Sequence, residues 1–360
     1  DVCFKARDTR CYLSAVESLA RLDPDDSQAA RALAAGYAAN GFLVLAVREL
    51  RRVLSRWPGQ ADANKVRKML AEFEENLAGF FRNLALPPDQ AFELAVLHDE
   101  VRLNLEQGRL AEARRLAKKL LARFPEFVPA MNNLAETEMA DGNYAVAIQW
   151  SRRVLDIDAE NMYALANLVQ LMLFTGQMDK AQEYAQRLKA LSLEAGSHWI
   201  KMAEALAYLG DDRGVLDTLE GVTRVGDVPA NYTGGMLYHL AAAASMRLGD
   251  QAQARRYWQE TLRLDPSSAS ARANLDDLDK PAHERDAPWM FDFGMWAPHK
   301  AVNRLYNAAR AAERHNRKGA IKESAQKILV EQPELLAMAP HMLDRGDRQA
   351  REFVIRLAEM

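Results

Sequence analysis

The chain has 360 residues, 49% of them hydrophobic and 27% charged, so a disordered polypeptide is excluded as the default and a buried core is affordable in length. Lys and Arg number 47 against 50 Asp and Glu, a net charge of -3, so overall charge drives the chain toward neither nucleic acid nor an anionic membrane. No apolar run approaches the roughly 18 residues that a membrane span requires.

The first residues, DVCFKARDTRC, lack the apolar centre of a signal peptide. Cys3 and Cys11 lie about 12 Å apart if the segment is helical, too far for a disulfide, which gives a mild preference for a reducing compartment. Residues 5–22 read as the second helix of a hairpin whose first helix is missing or altered. The chain opens at Asp1 without Met and closes on the helical pattern RQAREFVIRLAEM without a stop signal, so we expect a piece of a longer protein.

From residue 27 onward the sequence repeats. Gly108, Gly142, Gly176 and Gly210 fall 34 residues apart, with Gly41 and Gly249 near the same period. A second ladder agrees: Pro24 and Pro58 are 34 apart, and Pro125 and Pro266 take the equivalent place later. With each Gly as the fifteenth residue, full units begin at 27, 94, 128, 162, 196 and 235. Position twenty then reads Ala46, Ala113, Ala147, Ala181, Val215 and Ala254, small residues that let two antiparallel helices cross closely. The glycines suit a helix end in the left-handed conformation. Position seven gives an apolar seam, Leu33, Leu134, Leu168, Met202 and Ala241, broken by Glu100. Each unit is therefore predicted to be a helix, a tight turn and a second helix.

These columns resemble the tetratricopeptide repeat, on Leu33, Tyr37, Gly41, Ala46 and Pro58 in the first full unit, Trp199 and Gly210 in the fifth, and Ala254, Trp258 and Pro266 in the sixth. The resemblance covers roughly residues 10–280. It implies an all-α fold, a right-handed superhelical solenoid of helical hairpins whose first helices line a concave face. Residues 61–93 depart from it, because position fifteen there is Glu75 and the stretch reads as one long amphipathic helix up to Pro87-Pro88. The loop from Val225 to Gly235 stretches the fifth unit. The expected organisation is a half-repeat helix (1–26), a solenoid (27–280) closed by a cap helix at 269–280, an aromatic linker (281–298) and an irregular region of helical hairpins (299–360). Breaks in this last region are expected at Gly319, Pro333 and Gly346.

No phosphate-binding glycine loop, nucleophile elbow, His-Glu-x-x-His or Cys-x-x-Cys occurs, and the seven histidines have no ligand spacing, so no catalytic residue, metal or cofactor is assigned. Binding features rank higher. Asn133, Asn167 and Asn274 recur at position six, with Asn132 beside the first. An Asn side chain donates and accepts, so a row of them can hold the backbone of an extended peptide whatever its sequence. By the resemblance, the concave groove would also present Arg102, Glu136, Tyr163, Gln170, Glu204, Tyr208 and His239. The charges are too mixed for a dedicated carboxylate clamp. Arg109, Arg114, Arg115, Lys118, Lys119 and Arg123 form a basic cluster on one second helix that reads as a solvated helix face rather than a convex-face site for an acidic partner or nucleic acid, because no aromatic residues interleave with the charges. Trp289, Phe291, Phe293 and Trp296 in APWMFDFGMWAP are a possible aromatic anchor: they must pack on something, either as a lid on the solenoid, on a partner, or in the chain's own groove. The tripeptides Asn231-Tyr232-Thr233 and Arg345-Gly346-Asp347, a glycosylation and an adhesion motif by composition, are short enough to arise by chance.

The sequence thus points to a non-enzymatic adaptor that binds a protein or peptide segment in its concave groove, with no small-molecule substrate and no drive toward nucleic acid, and a cytoplasmic location. Two alternatives stay open: a recruiting or regulatory arm of a larger multidomain enzyme, and an envelope-located assembly or export factor, which would need a signal outside these residues.

Overall fold

The computed structural model describes residues 8–83, 86–192, 196–226, 228–229, 232–315 and 320–358, and among them it holds twenty α-helices and no strand. The fold is an all-α solenoid of helical hairpins, and none of its described helices is long and apolar enough to cross a membrane. The chain divides into two compact units, Asp1–Asn133 and Leu134–Met360.

The first unit contains α1 (Thr9–Leu22), α2 (Ser27–Ala39), α3 (Leu43–Arg56), α4 (Ala63–Asn83), α5 (Pro88–Glu106) and α6 (Leu110–Arg123); the division falls within α7 (Val128–Ala140). Asp26 starts α2 by accepting a hydrogen bond from the Gln28 amide, and Pro88 opens α5 where its missing N–H costs nothing. Leu13, Val16, Leu33, Tyr37 and Leu45 pack one core; Ala30, Ala34, Leu50, Val53 and Val66 pack a second. The long α4 packs against α3 through Val66 and Leu77.

One expectation fails here. Cys11 is disulfide-bonded, and the only other cysteine of the sequence is Cys3, outside the described residues. The distance argument assumed continuous helix, whereas α1 begins at Thr9 and Asp8 is its extended cap, accepting from the Cys11 amide.

The second unit contains α8 (Tyr144–Ile157), α9 (Met162–Phe174), α10 (Met178–Lys189), α11 (Gly196–Leu209), α12 (Asp212–Val225), α13 (Tyr232–Arg247), α14 (Gln251–Leu264) and α15 (Ala269–Leu278). A strap follows, containing the one-turn α16 (Phe293–Trp296), and then α17 (His299–His315), α18 (Ala320–Glu331), α19 (Glu334–Arg345) and α20 (Arg348–Ala358). Gly319 lies outside the described residues, as do parts of the Val225 to Gly235 loop. A single hydrophobic core joins the hairpins to the strap and to the C-terminal helices, with Leu168, Leu206, Trp258, Phe291, Trp296 and Met338 among its members.

Why these residues make hairpins is visible at the turns. The six ladder glycines, Gly41, Gly108, Gly142, Gly176, Gly210 and Gly249, all have positive φ, between 69° and 91°. In each turn the amide after the glycine reaches back six residues inclusive, as in Asn143 N–H to the Glu138 carbonyl at 2.8 Å and Asp250 N–H to Ser245 at 2.9 Å, satisfying carbonyls that the helix end leaves bare. Five residues past each glycine, Ala46, Ala113, Ala147, Ala181, Val215 and Ala254 are fully buried where the helices cross.

Candidate functional site: a self-occupied groove

In the second unit, the first helices of successive hairpins present a row of polar and aromatic side chains, and the strap lies against part of it. On α15, Asn274 is fully buried and grips one residue of the strap from both sides: its Nδ2 donates to the Trp289 carbonyl at 3.1 Å and its Oδ1 accepts from the Trp289 amide at 2.9 Å. Two helices back along the row, His239 on α13 meets the Met290 carbonyl through Nε2 at 3.1 Å. The Tyr208 hydroxyl, on α11, donates to the Met295 carbonyl at 2.9 Å, and its ring stacks on Phe291 with centroids 4.0 Å apart. Trp296 meets Tyr208 edge-on and tilts against Phe174 of α9.

Burial sets the electrostatics. It raises the Tyr208 phenol well above its usual value, with Glu204 adding to the effect, although the Gln170 side chain hydrogen-bonds the phenol and opposes it. Burial likewise lowers His239, against hydrogen bonds to the strap backbone and the nearby Asp292. Asp277, at the end of α15, accepts from the Asp286 and Ala287 amides through Oδ2; burial alone would raise its carboxyl, but Lys280 and those two amides hold it below the usual value.

The strap's outer side is closed by the turn between α19 and α20. Met290 and Phe291 donate to the Arg345 carbonyl at 2.9 and 3.3 Å, and the Asp347 amide donates to the Phe291 carbonyl at 2.9 Å. The Arg345 guanidinium, only 4% exposed, donates to the Tyr208 carbonyl at 2.7 Å, capping the C-terminal end of α11 beside Gly210. A Cβ at Gly210 would stand 2.5 Å from Arg345 Nη1, and one at Gly142 would stand 2.3 Å from Gln332 Nε2. The C-terminal helices therefore dock on hairpin turns that lack side chains. Arg345-Gly346-Asp347 is thus part of this clamp, and Asn231 lies outside the described residues.

The rest of the row in this unit is not covered in the same way. Asn167, on α9, occupies the register position of Asn274 and is 1% exposed, yet its Oδ1 has no hydrogen-bond partner. Beside it on α11, at the same position of the next unit, stands Lys201, whose ammonium lies 3.3 Å from Glu136 and 3.8 Å from Glu204. Burial would lower this lysine, but the two carboxylates outweigh it and raise it; burial raises Glu204 despite Lys201. Tyr163 meets His198 edge-on. Sequence reasoning missed Lys201 because it sought asparagines at position six; reading that column for any polar residue would have found it. It also missed Asp277 and Arg345, whose roles depend on the strap's path.

In the first unit, Arg102 pairs with Asp99 at 3.3 Å and lies over the Phe42 ring, and Asn132 is buried while Asn133 is half-buried. Much of the basic helix face is engaged: Arg109 donates to Asn104, Arg115 pairs with Glu112 and Arg123 with Glu93. Phe293 of the strap packs on Phe353 of α20. No group of three His, Cys, Asp or Glu among the described residues is placed to hold a metal ion.

Such a molecule, helical hairpins with a groove that holds an extended backbone, belongs to the helical-repeat class. More particularly, residues 98–161 match the family model described as tetratricopeptide repeat. No curated protein matches the chain. Among solved structures, it is similar to a tetratricopeptide repeat protein from Parabacteroides merdae (15% identity, 69% of this chain and 97% of that one, TM-score 0.43). It is also similar to the APC/C hetero-tetramer Cut9-Hcn1 (12%, 76% and 46%, TM-score 0.44) and to the human IFIT1 dimer with PPP-AAAA (14%, 73% and 70%, TM-score 0.36). At these identities and scores the likenesses carry no site across.

Proposed function

We propose that the chain is a non-enzymatic scaffold that holds an extended segment of a partner protein. In the second unit the receiving surface is the part of the row that makes no hydrogen bond to the strap: Glu136, Tyr163, Asn167, Gln170, Lys201 and Glu204. Tyr208, His239 and Asn274 hold the chain's own strap, with Trp289, Phe291, Phe293 and Trp296 as its anchors. In the first unit we assign partner contact to Arg102, Asn132 and Asn133. The observation that supports this reading is the two-sided grip of Asn274 on Trp289, because it takes hold of backbone alone, as a column receiving an extended segment of any sequence would.

The test is affinity capture from the native lysate with the wild-type chain and with Asn133→Ala/Asn167→Ala. A partner retained by the wild type and lost by the variant, at nearly equal thermal stability, supports the assignment. Equal capture by both moves binding elsewhere.

An envelope or otherwise exported location is favoured over a cytoplasmic one by the disulfide-bonded Cys11, since disulfides persist in oxidising compartments. Thiol labelling of the native protein under denaturing, non-reducing conditions checks it: labelled cysteines point back to the cytoplasm.

A further inference from the structure

We propose that the part of the second unit's groove that the strap does not hydrogen-bond selects a partner segment bearing a basic side chain, Lys or Arg, next to the backbone that Asn167 receives. This rests on the groove reading above and adds the partner's chemistry to it. Two independent observations meet at one place. The first is an unmet acceptor: Asn167 Oδ1 is buried without a partner at the register position where Asn274 takes a backbone amide. A buried oxygen left so is costly, and an extended segment supplies the missing N–H.

The second is an unbalanced charge. Glu136 and Glu204 share the single ammonium of Lys201, and among the described residues no other cation lies within ion-pair distance of either carboxylate. Helices α9 and α11 pack side by side, so the acceptor and the charges border the same stretch of groove. The Lys201 side chain is 15% exposed, Glu204 25% and Glu136 39%, so the carboxylates form the open side of the triad and the lysine its floor. An acidic side chain entering here meets the carboxylates first. A basic one meets them and restores neutrality in a partly desolvated site, where pairing is worth more than at an open surface.

The experiment pans a random-peptide display library on the full chain. Enriched sequences should share a Lys or Arg at one fixed position, and a synthetic peptide with norleucine there should bind about tenfold more weakly or worse. Glu136→Gln with Glu204→Gln should remove that preference. Lys201→Gln, which leaves both carboxylates without a cation, should tighten binding of the basic peptide severalfold. Asn167→Ala should weaken every enriched peptide, charged or not. Peptides sensitive to Asn167→Ala but indifferent to norleucine, or enriched in acidic residues, overturn the charge inference and leave the groove reading standing. Peptides indifferent to Asn167→Ala, or no enrichment at all, overturn both.

Discussion

Two asparagines at the same position of their repeats, Asn274 on α15 and Asn167 on α9, sit in opposite circumstances. Both are buried to within 1%. Asn274 donates to the Ser270 carbonyl of its own helix and finds a second acceptor and a donor on the strap; at Asn167 the carbonyl oxygen goes without. A repeat fixes where a side chain stands, whereas whether it is satisfied depends on what lies over it. At the strap-covered end of the second unit the polar column is thus satisfied within the chain, whereas Asn167 keeps an unmet acceptor, which is why the receiving role is proposed for it.

The most severe way to break the covered end is to remove its anchor. Trp296 is 1% exposed and touches Tyr208, Phe174 and Phe291, so Trp296→Ala should cost about 3–5 kcal/mol, read as a fall in the thermal or denaturant midpoint. A two-state loss of less than about 1 kcal/mol would mean that the strap is not packed as described.

A comparison of glycines separates turn from dock. Gly210 and Gly249 share the left-handed conformation, with φ 85° and 91°, so substitution by Ala costs each about 1–2 kcal/mol. Only at Gly210 does the new Cβ meet Arg345; at Gly249 nothing lies within 4 Å. Gly210→Ala should therefore exceed Gly249→Ala by about 1.5–3 kcal/mol, the worth of a charged donor's hydrogen bond. Equal losses would show that Arg345 swings aside freely.

Next comes the asparagine pair itself. Asn274→Ala strands the Trp289 amide and carbonyl and should cost about 1–3 kcal/mol, while Asn167→Ala strands no partner identified among the described residues and should stay within about 0.5 kcal/mol of wild type. If both variants melt alike and well below wild type, Asn167 has a structural partner and the receiving role assigned to it falls.

How much of this was legible in the sequence follows from what sequence periodicity encodes. The glycine ladder and the small column at position twenty report local necessities, a positive φ and a close crossing, so the hairpins could be read from Gly142 or Ala147 alone with their neighbours. The aromatic segment announced that it must pack, because four aromatics in water are costly. Its path did not show: nothing local to Trp289 says that Asn274 receives it, or that Arg345, 56 residues further on, closes it from the other side. Of the groove residues named from the repeat register, Tyr208, His239 and Asn274 are turned to the chain's own strap. Lys201 escaped notice because a lysine breaks the asparagine column. The cysteine reading failed for a related reason: it took residues 3–11 as helix, and a helix start depends on a cap, here Asp8, that the spacing alone does not fix.

The gentlest way to sharpen the comparison is with acid. His239 donates from Nε2 to the Met290 carbonyl, which leaves Nδ1 as the neutral nitrogen, buried and without a partner. Protonation would place a charge there, away from water. Burial accordingly holds the folded value below the ordinary one, about 6.5, and the backbone of Trp289 and Met290 and the charge of Asp292 offset this only in part. A depressed folded value means that the unfolded chain binds the proton more readily. The stability His239 contributes is thus fully present above about pH 6.5 and declines as pH falls toward the folded value, by up to about 1.4 kcal/mol per pH unit. His98, pushed down to about 3 by burial and by Arg102, and His341, lowered by burial and by Arg345, act in the same direction, so wild type alone cannot assign the effect. His239→Gln keeps a donor for Met290 and does not titrate. Between about pH 6.5 and 4.5, where carboxyls raised by burial such as Glu204 and Asp347 act alike in both proteins, its stability should fall less steeply than that of wild type, and parallel curves would show that the histidine at the strap stays neutral or that acid opens the strap by another route.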